Sequence, residues 1–231
     1  MTKCKCWAAA LVAVLLLPNV AASADAAKEA YEKGKSHLDK MDYDAAITAF
    51  TEALRLDPKK AEAYCDRGRA YDRRFSLDRA IADCTEAIRL NPKLAAAYNN
   101  RGIAYWHKRE HDKAIADYTE AIRLDPKFGE AYNSRGIAYG GKGEYDKTIA
   151  DCTEAIRLDP NYAAAYNSRG GAYGMKREFD KSIADFTEAI RLNSNDFKAY
   201  FNRGLAYKRV GEKAKAEEDF AQAKRLGFKG K

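Results

Sequence analysis

The string with the most obvious chemistry in this chain is His107, Glu110 and His111, an H-x-x-E-H in which two imidazoles on one helix face hold a metal ion and a carboxylate moves a proton. That chemistry needs an uninterrupted helix between the two histidines. Here the apolar periodicity ends one helix near His107 and starts another after Glu110, so the expectation is packing and not metal binding. Five cysteines are the other reactive groups. Cys84 and Cys152 share a register position with Phe50, Tyr118, Phe186 and Phe220, which marks them as interior residues too far apart to bridge. Cys65 is a candidate free thiol. No Ser-His-Asp order, glycine-rich phosphate loop or paired-carboxylate signature stands out, so no catalytic residue, cofactor or metal is expected.

Composition narrows the classes further. The 231 residues are 46% apolar and 32% charged, enough apolar content for a packed interior and too much for disorder. The net charge of +7 comes from 41 basic and 34 acidic side chains that alternate along the chain without a basic block, which argues against nucleic acid as a partner. Lys3 and Lys5 precede an apolar run from Trp7 to Leu17, followed by small residues through Ala24. That pattern is expected of an export signal cleaved after Ala24, since the run is shorter than the roughly 20 residues needed to span a bilayer. Cys4 and Cys6 precede the run, which disfavours a lipid anchor. The remaining chain holds an odd number of cysteines and is no disulfide scaffold.

The elements that must position any site are visible as one unit written six times. Tyr98 to Tyr105 returns almost unchanged as Tyr132 to Tyr139, and Gly34, Gly68, Gly102, Gly136, Gly170 and Gly204 keep the same step of 34. The repeats are 27–60, 61–94, 95–128, 129–162, 163–196 and 197–230, so residues 25–231 read as a single domain. Two helical periodicities separated by a short break fill each repeat. Pro58, Pro92, Pro126 and Pro160 close four of them, because proline cannot continue the second helix.

Tyr98, Gly102, Tyr105, Ala114, Tyr118, Ala121 and Pro126, with their counterparts in the other repeats, resemble the tetratricopeptide repeat family. The resemblance implies an all-α fold, an α–α superhelix of helical hairpins whose first helices line a concave groove for peptides or partner proteins. Ala30 and Ser194 depart from the pattern, and the polar helix 212–226 reads as a terminal cap.

Where the family commonly has leucine at position 7, this chain has Arg67, Arg101, Arg135, Arg169 and Arg203. Position 23 answers with Asp83, Asp117, Asp151, Asp185 and Asp219. An Arg–Asp ladder is expected, within each hairpin or between neighbours, as scaffolding. By the family's groove positions, Asn99, Asn133 and Asn167 form an amide row for a peptide backbone. Ile103, Trp106, Ile137 and Met175 flank it, and Lys198, Lys208 and Arg209 make one end basic. Gly140, Gly141 and Gly174 either make room for ligand side chains or mark helix ends. The functional expectation is an exported, non-enzymatic scaffold or adaptor for a protein or peptide, without a small-molecule substrate. A self-associating structural protein and an enzyme with an unrecognised site are the alternatives.

Overall fold

A computed structural model of the chain describes the backbone of residues 7–228 and the side chains of residues 23–228. The expected export signal therefore lies partly outside the described residues, Lys3 and Lys5 included. Every described element is an α-helix. Contacts divide the chain into two compact units, Met1–Lys108 and Arg109–Lys231, with the division inside the third repeat. The first unit holds α1 (Trp7–Asp39), α2 (Tyr43–Leu56), α3 (Ala61–Arg73), α4 (Leu77–Leu90) and α5 (Ala95–His107). The second holds α6 (His111–Leu124), α7 (Gly129–Gly141), α8 (Tyr145–Leu158), α9 (Ala163–Met175), α10 (Phe179–Leu192), α11 (Phe197–Arg209) and α12 (Lys213–Arg225). Among the described residues no helix is long and apolar enough to cross a membrane.

Local chemistry sets the helix ends. Asp57, Asn91, Asp125, Asp159 and Asn193 each leave their helix in an extended conformation, with φ between −133° and −140°. The side-chain oxygen of each accepts from the backbone N–H two residues on, an Asx turn. Asn193 does this although Ser194 follows it, so the turn is made by the Asx side chain and survives loss of the proline.

The turn between the two helices of a hairpin needs a left-handed residue, supplied by Gly143 at φ 79° and Gly211 at φ 85°, but elsewhere by Met41, Phe75, Arg109 and Arg177, with Phe75 at φ 55°. Phe75 is 75% exposed, so little packing offsets its strain. Phe75→Gly is expected to stabilise the first unit by about 0.5 to 1 kcal/mol, the relief of left-handed strain less the extra freedom of the unfolded chain. A thermal melt that is unchanged or lowered would show that the strain is absent.

Packing within the hairpins is tight at position 8. A Cβ on Gly68 would come within 2.7 Å of Cys84 Sγ, and one on Gly204 within 2.7 Å of the Phe220 ring. Alanines such as Ala80, Ala155 and Ala189 are buried on the facing helices, so the two backbones approach closely. First helices also touch the next first helix, α3 with α5 in one unit and α7 with α9 and α9 with α11 in the other. Among the described residues the second helices make no comparable contact with each other. Within each unit the layer of first helices is therefore the shorter one, and the unit curves toward it.

The last hairpin is closed. Phe228 folds back on Phe201, with ring centroids 4.3 Å apart. Ala214 and Ala221 stand where earlier repeats carry an Asp and a Thr that bond the following repeat, as Asp112 does with Lys142 and Thr153 with Arg169.

Candidate functional site

The ladder residues meet in every pair that lies within one unit. Arg67 Nε and Nη2 donate to Asp83 at 2.7 and 2.9 Å, and Arg135–Asp151, Arg169–Asp185 and Arg203–Asp219 repeat that two-pronged geometry at 2.8 Å. Of the two alternatives, contact in these four pairs lies within the hairpin. The third guanidinium nitrogen reaches the preceding repeat, as in Arg169 Nη1 to Thr153 Oγ1 at 3.1 Å and Arg101 Nη1 to Thr85 Oγ1 at 3.2 Å. Each arginine also lies against a tyrosine ring, 5.6 Å from Tyr166 in the case of Arg169. These side chains are mostly buried and hold helices together. They present nothing to a partner.

The amide row requires a correction. Asn99 and Asn133 are 1% and 5% exposed, so they face the interior and not a ligand. Asn133 donates to Tyr162 Oη at 3.5 Å, while half-buried Asn167 accepts from Asn202 at 3.4 Å. In the second unit the polar groups of the position-5 amides are spent inside the protein, that of Asn167 on Asn202 of the following first helix.

Open concave surface appears instead at positions 9 and 12 of the second unit, where α7, α9 and α11 frame a cleft of about 500 Å³. Position 9 elsewhere carries Lys35, Arg69, Ile103, Ile137 or Leu205, and position 12 carries Leu38, Asp72, Trp106 or Lys208. Here Gly171 replaces the first, and Gly140 and Gly174 replace the second. A Cβ on Gly171 would meet nothing within 4 Å. The floor comes from the second helices, with Tyr145 and Thr148 of α8 and Phe179, Ser182 and Phe186 of α10. Thr148 and Ser182 occupy position 20, alanine in the other four repeats, and donate to the carbonyls of Gly136 at 2.8 Å and Gly170 at 2.7 Å. A Cβ on Gly174 would stand 3.2 Å from Ser182 Oγ, so the hydroxyls and the missing side chains go together. This paired change at positions 12 and 20 is the signal in the sequence that identifies the cleft.

Of the expected contact residues, Ile137, Met175 and Arg209 line this cleft. Lys198 and Lys208 are exposed on α11, and Ile103 and Trp106 are half-buried on α5 of the first unit. Ser168, Asn202 and Leu205 join the lining and were not singled out by sequence. Gly140 and Gly174 make room, whereas Gly141 ends α7 against the His111 ring, 3.4 Å from its would-be Cβ.

The remaining reactive groups are quiet. His107 Nδ1 lies 2.8 Å from Asp72 Oδ1, and His111 belongs to the next helix. No cluster of three or more metal-ligating side chains occurs among the described residues. Cys65, Cys84 and Cys152 are buried. Burial pushes the thiols of Cys65 and Cys152 up to about 12. Both are expected to stay protonated at pH 8 and to react with a thiol reagent only after unfolding. Rapid labelling of the native protein would show that the hairpins part.

Stacked helical hairpins with an open inner surface define a repeat scaffold for protein contacts. Models described as tetratricopeptide repeat match residues 31–95, 95–128, 129–162 and 197–226, and one described as TPR repeat matches 178–211. The chain belongs to the tetratricopeptide repeat family. No curated protein matches the sequence. Among solved structures, a MamA protein is 30% identical, with 71% of this chain and 96% of that one covered and a TM-score of 0.59. YrrB, described as a TPR protein with an unusual peptide-binding site, is 21% identical, with 78% and 92% covered and a TM-score of 0.59. PilF of Pseudomonas aeruginosa is 16% identical, with 89% and 94% covered and a TM-score of 0.76.

Proposed function

We propose that this protein is an exported, non-enzymatic scaffold that holds an extended segment of a partner protein on the inner face of its second unit. The cleft over Gly140, Gly171 and Gly174 carries this reading, because three missing side chains leave an apolar hollow that the fold itself does not require. Export rests on the basic, apolar and small-residue order of residues 1–24. The closed last hairpin, with Phe228 over Phe201 and alanines in place of the bonding Asp and Thr, favours a monomer over end-to-end growth.

The test is recovery of the full chain with its companions from the exported fraction of its own cell, beside a Gly171→Leu variant. Loss of the companions from a folded variant is the expected result. Undiminished recovery would remove the cleft from the interaction. Amino-terminal sequencing of the recovered protein is expected to begin at Asp25, and a chain starting at Met1 would contradict cleavage.

A further inference from the structure

The composition of the cleft says more about its occupant. Three exposed apolar side chains stand on successive first helices, Ile137 on α7, Met175 on α9 and Leu205 on α11, at 37%, 64% and 44% exposure. Neighbouring helices pack about 8 to 10 Å apart, so an occupant touching all three runs roughly 16 to 20 Å. At about 3.3 Å per residue that is an extended segment of five or six residues. A compact small molecule would fill the hollow without reaching both rims. Ser168 Oγ gives its proton to the Ala164 carbonyl at 2.9 Å, so it offers lone pairs to a passing backbone N–H.

Charge supplies the second half. Of the sixteen residues that line the cleft, Arg209 alone is charged. It ends α11, one helix beyond the hollow at Gly171 and Gly174 of α9, a distance of about three extended residues. Building on the proposed function, we infer that the cleft selects an extended peptide carrying one bulky apolar side chain and, about three residues away, an acidic group. The apolar side chain enters the hollow above Ser182 and Phe179. The carboxylate, from an Asp, a Glu or a chain terminus, meets Arg209 at the rim.

The experiment passes a positional-scanning library of synthetic hexapeptides, half with a free and half with an amidated carboxyl terminus, over the immobilised full chain. Expected is about tenfold or greater enrichment of Phe, Trp, Leu or Met at one position, as burial of such a side chain implies. Asp, Glu or the free terminus should be enriched about threefold nearby and lose that advantage in high salt. Arg209→Gln should erase only the acidic preference, and Gly171→Leu only the apolar one. Retained peptides without either preference, or preferences that neither variant alters, would overturn this inference while leaving a peptide-holding scaffold intact. Retention of no peptide by any form would overturn both.

Discussion

Arg169→Ala is expected to destabilise the second unit by about 3 to 5 kcal/mol, the range for removing one partner of a buried ion pair. Asp185 carries the effect. Its side chain is 9% exposed, and both carboxylate oxygens accept from Arg169 at 2.8 Å, so the variant leaves a desolvated charge without its donors. The same change removes the bond to Thr153 Oγ1, which ties α9 to the hairpin before it. Urea denaturation followed by helical circular dichroism measures the loss. Replacing both partners, Arg169→Leu with Asp185→Leu, is expected to recover most of it, because a matched apolar pair needs no compensation. A single-variant loss below about 1 kcal/mol would put the pair in the class of surface ion pairs and end its role as scaffolding.

Two adjacent glycines in α9 are expected to respond in opposite directions. A Cβ on Gly170 would lie 3.1 Å from the Phe186 ring and 3.2 Å from Asp185 Cβ, so Gly170→Ala forces α9 and α10 apart. Overpacking of that kind costs about 1 to 3 kcal/mol, more than the roughly 1 kcal/mol gained from better helix propensity. Gly171→Ala meets nothing within 4 Å and retains the whole propensity gain, about 1 kcal/mol of added stability. Paired thermal melts should move down for the first and up for the second. Shifts of the same sign would contradict the close approach at position 8. A glycine whose loss improves the fold is present for another reason, and at Gly171 that reason is the open hollow.

The sequence was legible wherever the cause is local or repeated. A step of 34 places every hairpin, and the Asx residues place the ends of the second helices through bonds to their own backbone two residues on. The Arg–Asp ladder was readable because positions 7 and 23 change together within one repeat, and the two residues meet across one hairpin. The asparagine row was misread for the converse reason. Whether position 5 faces solvent depends on how the next hairpin docks, and in the second unit that docking buries Asn133.

By itself, then, the sequence determined the helices, their pairing and the family of the chain, all of which follow from propensity, turn chemistry and internal repetition. Only the tertiary structure decided which face of each first helix stays open. Gly140 lies a whole repeat before Gly171 and Gly174, and their absent side chains add up to one hollow only when α7, α9 and α11 stand side by side over Thr148 and Ser182. A cavity is a property of the distances between elements, and no residue encodes it alone.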